Sequence, residues 1–227
     1  MKRKYFIIAF ILITPVGTIT HELGHLFVAK NLGYNTVLHH SSLSWNNELL
    51  KSLKNQYEKF ELQIENDLPF KGKREYNINI KTLNKHRLLI VFGGVALTLI
   101  FSSIAFILLL YRIIIKKKKF TSFDWLLSFV SLFWIREPAN LILSIVKGIK
   151  LNNDIYFYGD DAKMAKLLGL HEGAILIPLS IIAILISLMI LKTIPNRRKK
   201  EFVIAGLIGC PIGFILWVFV IGPIILP

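Results

Sequence analysis

Read for apolar runs, the chain holds five stretches that approach or exceed the roughly 20 largely apolar residues needed to cross a bilayer's hydrocarbon. They are 5–30, 88–111, 122–147, 173–193 and 202–226. Between the first two, residues 34–87 are polar and carry two periodicities. Leu49, Leu50, Leu53 and Tyr57 share one helical face, with Lys51 and Lys54 elsewhere, which predicts a short helix over 47–57 lying at a membrane surface. Phe60, Leu62 and Ile64 then alternate with Glu61, Gln63 and Glu65, and Tyr76, Ile78 and Ile80 alternate with Asn77, Asn79 and Lys81. Alternation at period two predicts strands, and Asn66, Asp67, Pro69 and Gly72 between them supply a turn. The expected fold is an all-α polytopic membrane protein of about five transmembrane helices, with a small β-hairpin between spans one and two. Residues 1–227 form a single membrane-embedded domain in this reading.

Composition points the same way. The chain has 227 residues, 54% of them hydrophobic, and a mean hydropathy of +0.56. That is more apolar surface than one soluble core of this length hides. The net charge of +14 would suit nucleic acid, but most of the basic residues abut apolar stretches, where membrane-flanking charge accounts for them. The expected partner is the lipid bilayer, with no nucleic acid. Met1 to Lys4 followed by an apolar run resembles a secretory signal peptide; however, no Ala-x-Ala site follows and apolar character resumes at Leu26 to Ala29, so an uncleaved first span is expected. Lys and Arg at 2–4, 116–119 and 197–200 place the N-terminus in the cytoplasm and Pro227 outside. Lys81, Lys85 and Arg87, on the outer side, run against that orientation.

The chemistry concentrates in the first span, at His21-Glu22-Leu23-Gly24-His25. Two histidines at i and i+4 point from one helical face, close enough to hold one zinc ion, with the intervening glutamate beside the metal's water. Zinc lowers the pKa of water toward about 7, and Glu22 is then the expected general base for attack on a carbonyl. Three ionisable side chains within a span are costly, about 2.5 to 3.5 kcal/mol each when charged, unless they face a polar cavity or bind an ion. The single cysteine, Cys210, leaves any metal to histidine and carboxylate. A third ligand is needed, and the candidates are His39, His40, His86, Glu137, Asp154, Asp160, Asp161 and His171. His21 lies about 24 Å along the helix from Tyr5, toward the outer end of the span, the side on which Asp154, Asp160 and Asp161 emerge.

Thr20-His21-Glu22-Leu23-Gly24-His25 near the start of the chain resembles the site-2 protease family of intramembrane zinc metalloproteases. In that family the third ligand is an aspartate, usually in Asp-Gly, at the start of a helix after an asparagine-containing stretch. Ala139-Asn140-Leu141 followed by Gly159-Asp160-Asp161 is similar, and the resemblance makes Asp160 the ligand and Asn140 a supporting residue. Asp161 in place of glycine is a departure that leaves Asp161 open as ligand. Gly93-Gly94 resembles the family's small-residue motif beside the active site. The resemblance further implies membrane-anchored protein substrates, and a β-element that aligns an extended substrate segment; the edge 76–80 is the expected one.

Other readings stay open at this point. Glu137 would complete a two-His, one-Glu zinc site. Alternatively His21, Glu22 and His25 line an ion or proton path in a transporter or a non-catalytic scaffold. His39 and His40 read as loop histidines, His86 and His171 as border rings without a role, and Arg136 and Glu137 as structural. Gly209, Pro211 and Gly213 predict a kinked, closely packed last helix.

Overall fold

The computed structural model describes residues 3–150 and 157–226; Met1, Lys2, Asp154 and Pro227, named above, lie outside them. Helix α1 (Arg3–Asn31) leads through Gly33 into an antiparallel hairpin, β1 (Asn35–Leu38) and β2 (Leu43–Asn46), in register Asn35 opposite Asn46. Helix α2 (Glu48–Glu65) follows, capped by the Asn47 side chain, which accepts from the Leu50 amide. Helix α3 (Lys73–Leu110) continues through a π-helical turn, Tyr111–Ile115. Helices α4 (Ser122–Ser131) and α5 (Arg136–Lys150) are joined by a 3₁₀ turn, Leu132–Ile135. Short α6 (Asp160–Leu167) precedes α7 (Gly173–Thr193) and α8 (Asn196–Leu216), and α8 runs through the π-helical turn Trp217–Ile221 into α9 (Gly222–Ile225). Among the described residues, five helical stretches are long and apolar enough to cross a membrane: Arg3–Asn31, Lys73–Ile115, Ser122–Lys150, Gly173–Thr193 and Asn196–Ile225. The fold is that of a multi-pass membrane protein.

Close helix contact is written in small residues and prolines. Pro15 in α1 has no N–H to offer the carbonyl of Ile11. Gly213 of α8 crosses at that point, where a β-carbon would sit 2.8 Å from Ile11 O. Gly209 meets Ile7 O one turn earlier, at the same 2.8 Å. The expected close packing of the last helix is therefore against α1. At this end of the molecule Phe6, Phe10, Leu109, Phe129, Ile190 and Phe202 form the main buried cluster. Pro138 leaves the Trp134 carbonyl without its α-helical donor, and the third span tightens to 3₁₀ there.

The polar segment differs from expectation in where its strands lie. A hairpin does follow the first span, but over 35–46, whereas 61–65, just past a kink in α2 at Phe60 (φ −129°, ψ 28°), and 76–80 are helical. Three apolar residues at period two also contain an i, i+4 pair. Here Phe60 and Ile64, and Tyr76 and Ile80, are half-buried, whereas Leu62 and Ile78 point outward at 72% and 55% exposure. Phe60 stacks on Phe70 at 5.0 Å, closing α2 onto the start of α3. The second span is accordingly the upper part of a 43-residue helical stretch, about 64 Å long. That is about twice the hydrocarbon thickness.

Candidate metal centre

The site assembles where α1 and α3 cross with their backbones in contact. A β-carbon on Gly24 would overlap the carbonyl oxygen of Gly93, and one on Gly93 would come within 2.7 Å of Gly24 O. One residue on, a β-carbon on Gly94 would overlap the imidazole of His25. The Gly93-Gly94 pair thus makes the space in which the α1 histidines sit.

Each histidine is oriented from behind. His25 Nδ1 donates to the Ile90 carbonyl at 2.7 Å. His21 Nδ1 lies 3.2 Å from the Thr98 hydroxyl, whose one proton goes to the Gly94 carbonyl at 3.0 Å. Thr98 therefore accepts from His21. With Nδ1 of both rings committed as donors, each Nε2 carries a lone pair. The two Nε2 atoms are 2.9 Å apart. Asp160 Oδ2 lies 2.7 Å from that of His21 and 3.3 Å from that of His25. Three acceptor atoms with no proton between them repel unless a cation sits among them. A tetrahedral centre with bonds near 2.0–2.1 Å would set such donors about 3.3 Å apart, so this donor set fits a metal ion with small adjustment.

Glu22, 7% exposed, is the third member of the buried His21, Glu22 and His25 group, whose ligand atoms lie within 4.8 Å of one another and could hold a metal ion. Asp160 is the first residue of α6, presented by Gly159 at φ +101°, a conformation that favours glycine. Asn140 packs over that glycine, its Nδ2 3.2 Å from where a β-carbon would stand. The Ser144 hydroxyl, one turn beyond, receives the Tyr158 amide at 2.9 Å. Asn140 thus touches the turn that aims Asp160. Arg136 Nη2 is 3.3 Å from Oδ2, and Lys163 Nζ is 3.1 Å from Oδ1.

The other candidates go elsewhere. Asp161, 1% exposed, is hydrogen-bonded to the buried Glu137 instead of the histidines, and burial pushes its carboxyl up. His86 Nδ1 bonds the Tyr34 hydroxyl at 2.9 Å, tying the start of β1 to α3, a role its border position did not announce. His171 Nδ1 accepts from the Gly173 amide at 3.2 Å. His39 Nε2 bonds the Ser44 hydroxyl at 2.8 Å, and the His40 carbonyl accepts from Trp217 Nε1 at 2.7 Å. The hairpin is thereby held at its base by Tyr34 and at its turn by the last span. It begins four residues past the end of α1. The Arg136 contact with Asp160 was missed in sequence because nothing there relates the start of α5 to the start of α6.

No family profile, no curated protein and no solved structure matches the chain.

Proposed function

We propose that the chain is an intramembrane zinc metalloprotease that hydrolyses peptide bonds of membrane-anchored proteins, akin to the site-2 proteases. The observation that carries this reading is the convergence of His21 Nε2, His25 Nε2 and Asp160 Oδ2, lone pairs inward, within 3.3 Å of one another. It supports zinc because two imidazoles and one carboxylate, with a glutamate alongside, form a three-ligand set that leaves a position open. Zinc, when bound, supplies Lewis acidity that acidifies water and polarises a carbonyl.

The chain's own residues divide the remaining work. His21, His25 and Asp160 hold the ion, and Thr98, Ile90 and Arg136 fix their orientation. Glu22 takes the proton of the attacking water and returns it to the leaving amine. Burial of the site keeps bulk water out. The peptide must arrive extended, because a helical peptide bond is shielded by its neighbours. Strands β1 and β2, paired only with each other among the described residues, each keep an outer edge for such a segment. The clusters at 116–119 and 197–200 favour a cytoplasmic N-terminus and an extracytoplasmic site.

The test is cleavage of membrane-anchored reporter peptides in proteoliposomes containing zinc-loaded protein. Glu22→Gln is expected to keep the metal and lose on the order of 10²- to 10⁴-fold in rate. Cleavage by Glu22→Gln at the native rate overturns the assignment.

A further inference from the structure

At the end of the molecule opposite the metal centre, we infer that the structure carries a docking surface for anionic phospholipid headgroups. Three separate stretches contribute cations: Arg3 and Lys4 at the start of α1, the lysines at 116–119 between α3 and α4, and residues 197–200 in the first turn of α8. What joins them is an aromatic cluster with one member close to each stretch. Trp125 lies 4.7 Å from Phe6, 4.7 Å from Phe120 and 5.6 Å from Phe202, ring centroid to centroid. Phe6 follows Lys4 by two residues, Phe120 follows Lys119, and Phe202 follows Lys200 by two. The ten basic residues of these stretches therefore gather on one rim.

Elsewhere four lysines are paired: Lys51 with Glu48, Lys54 with Glu58, Lys73 with Asp67 and Lys163 with Asp160. Among the described residues, none of the ten on the opposite rim has an acidic partner within 4 Å. Asp124 is spent on Arg112, 2.6 Å away. Lys4 and Lys116 instead lie over the rings of Tyr5 and Tyr111, at 5.3 and 5.5 Å. The four lysines at 116–119 are exposed.

Charge and level together select the occupant. Each cation lies within about two turns of a span's end, beside the tyrosine and tryptophan rings that mark the headgroup layer. A nucleic acid would need this charge to stand clear of the bilayer. A clustered run of lysine and arginine flush with the membrane attracts acidic lipids, each charge contributing about a fivefold factor at low ionic strength. The bound chemistry is the phosphate of an acidic glycerophospholipid. The inference rests on the membrane architecture alone and does not depend on the protease reading.

The full chain is placed in phosphatidylcholine nanodiscs with and without phosphatidylglycerol, and lipid retained on the protein is counted by native mass spectrometry. Wild type is expected to retain phosphatidylglycerol over phosphatidylcholine, and added salt to weaken that preference. Replacing Lys116, Lys117, Lys118 and Lys119 together by Gln is expected to lower the preference by tenfold or more, whereas replacing the same four by Arg keeps it. Replacing Lys54 and Lys59 by Gln is the control and leaves it unchanged. The thermal midpoint in pure phosphatidylcholine verifies that each variant is folded; if the Gln set unfolds, Arg197→Gln with Lys200→Gln gives the same readout. Equal retention of the two lipids by wild type overturns the inference. So does a single-stranded RNA that binds wild type in detergent and is lost in the Gln set while lipid preference is unchanged.

Discussion

His21 Nε2 and Asp160 Oδ2 lie 2.7 Å apart although 139 residues separate them in the chain. The contact depends on Gly159, whose φ of +101° starts α6 with its first side chain facing α1. Gly159→Ala puts a methyl against Asn140 in a backbone conformation that costs a non-glycine residue about 1–3 kcal/mol. The expected result is a folded protein with weakened metal binding, seen by titrating zinc into the chelator-treated protein. Unchanged affinity in Gly159→Ala would separate Asp160 from the metal.

Gly94 makes room for the His25 ring, and Gly33, at φ +79°, has open space around it. Gly94→Ala is expected to displace the imidazole and lower metal affinity on the order of 10- to 100-fold, the size of effect seen when a ligand loses its orientation. Gly33→Ala is strained by about 1–2 kcal/mol and keeps the metal. Zinc titration with a thermal melt on both variants distinguishes local strain from damage to the site.

Glu137 and Asp161 hydrogen-bond each other behind the centre, leaving Glu137 Oε2 and Asp161 Oδ1 buried without a partner. Glu137→Ala deprives Asp161 of that bond and is expected to cost ~1–3 kcal/mol of stability. Metal content is expected to stay at the wild-type level, because Glu137 reaches Asp161 and not the histidines. Loss of zinc from Glu137→Ala with Asp160 intact would make the third ligand a glutamate.

The indole of Trp217 holds the hairpin turn through the His40 carbonyl at 2.7 Å. Trp217→Phe removes that bond, about 0.5–1.5 kcal/mol, while keeping an aromatic ring. Amide hydrogen exchange is expected to speed up over 35–46, with little change in α1 or α3. Unchanged exchange there would mean that the Tyr34 to His86 bond alone holds the hairpin.

The spans and the histidine pair were legible in sequence because long apolar runs and the i, i+4 spacing are local signals. His21, Glu22 and His25 therefore needed no structure to be found. The hairpin was legible as an element and misplaced in position. Phe60, Leu62 and Ile64 alternate, but Glu61, Gln63 and Glu65 between them suit a helix, and α2 kinks at Phe60 where its ring stacks on Phe70. The true strands are four residues each, too short for alternation to stand out. Depth along the first span put Asp154, Asp160 and Asp161 on the side of the histidines, and the family resemblance singled out Asp160 among them. Its geometry, like the Arg136 and Thr98 contacts, depends on which helices cross, and residue spacing does not encode that.

If His21, His25 and Asp160 together hold one zinc ion, metal analysis of purified wild type beside Glu22→Gln and Asp160→Ala reads it out. About one zinc per chain is predicted for wild type and Glu22→Gln, and little for Asp160→Ala. Wild type without bound metal, or full zinc occupancy in Asp160→Ala, would contradict it.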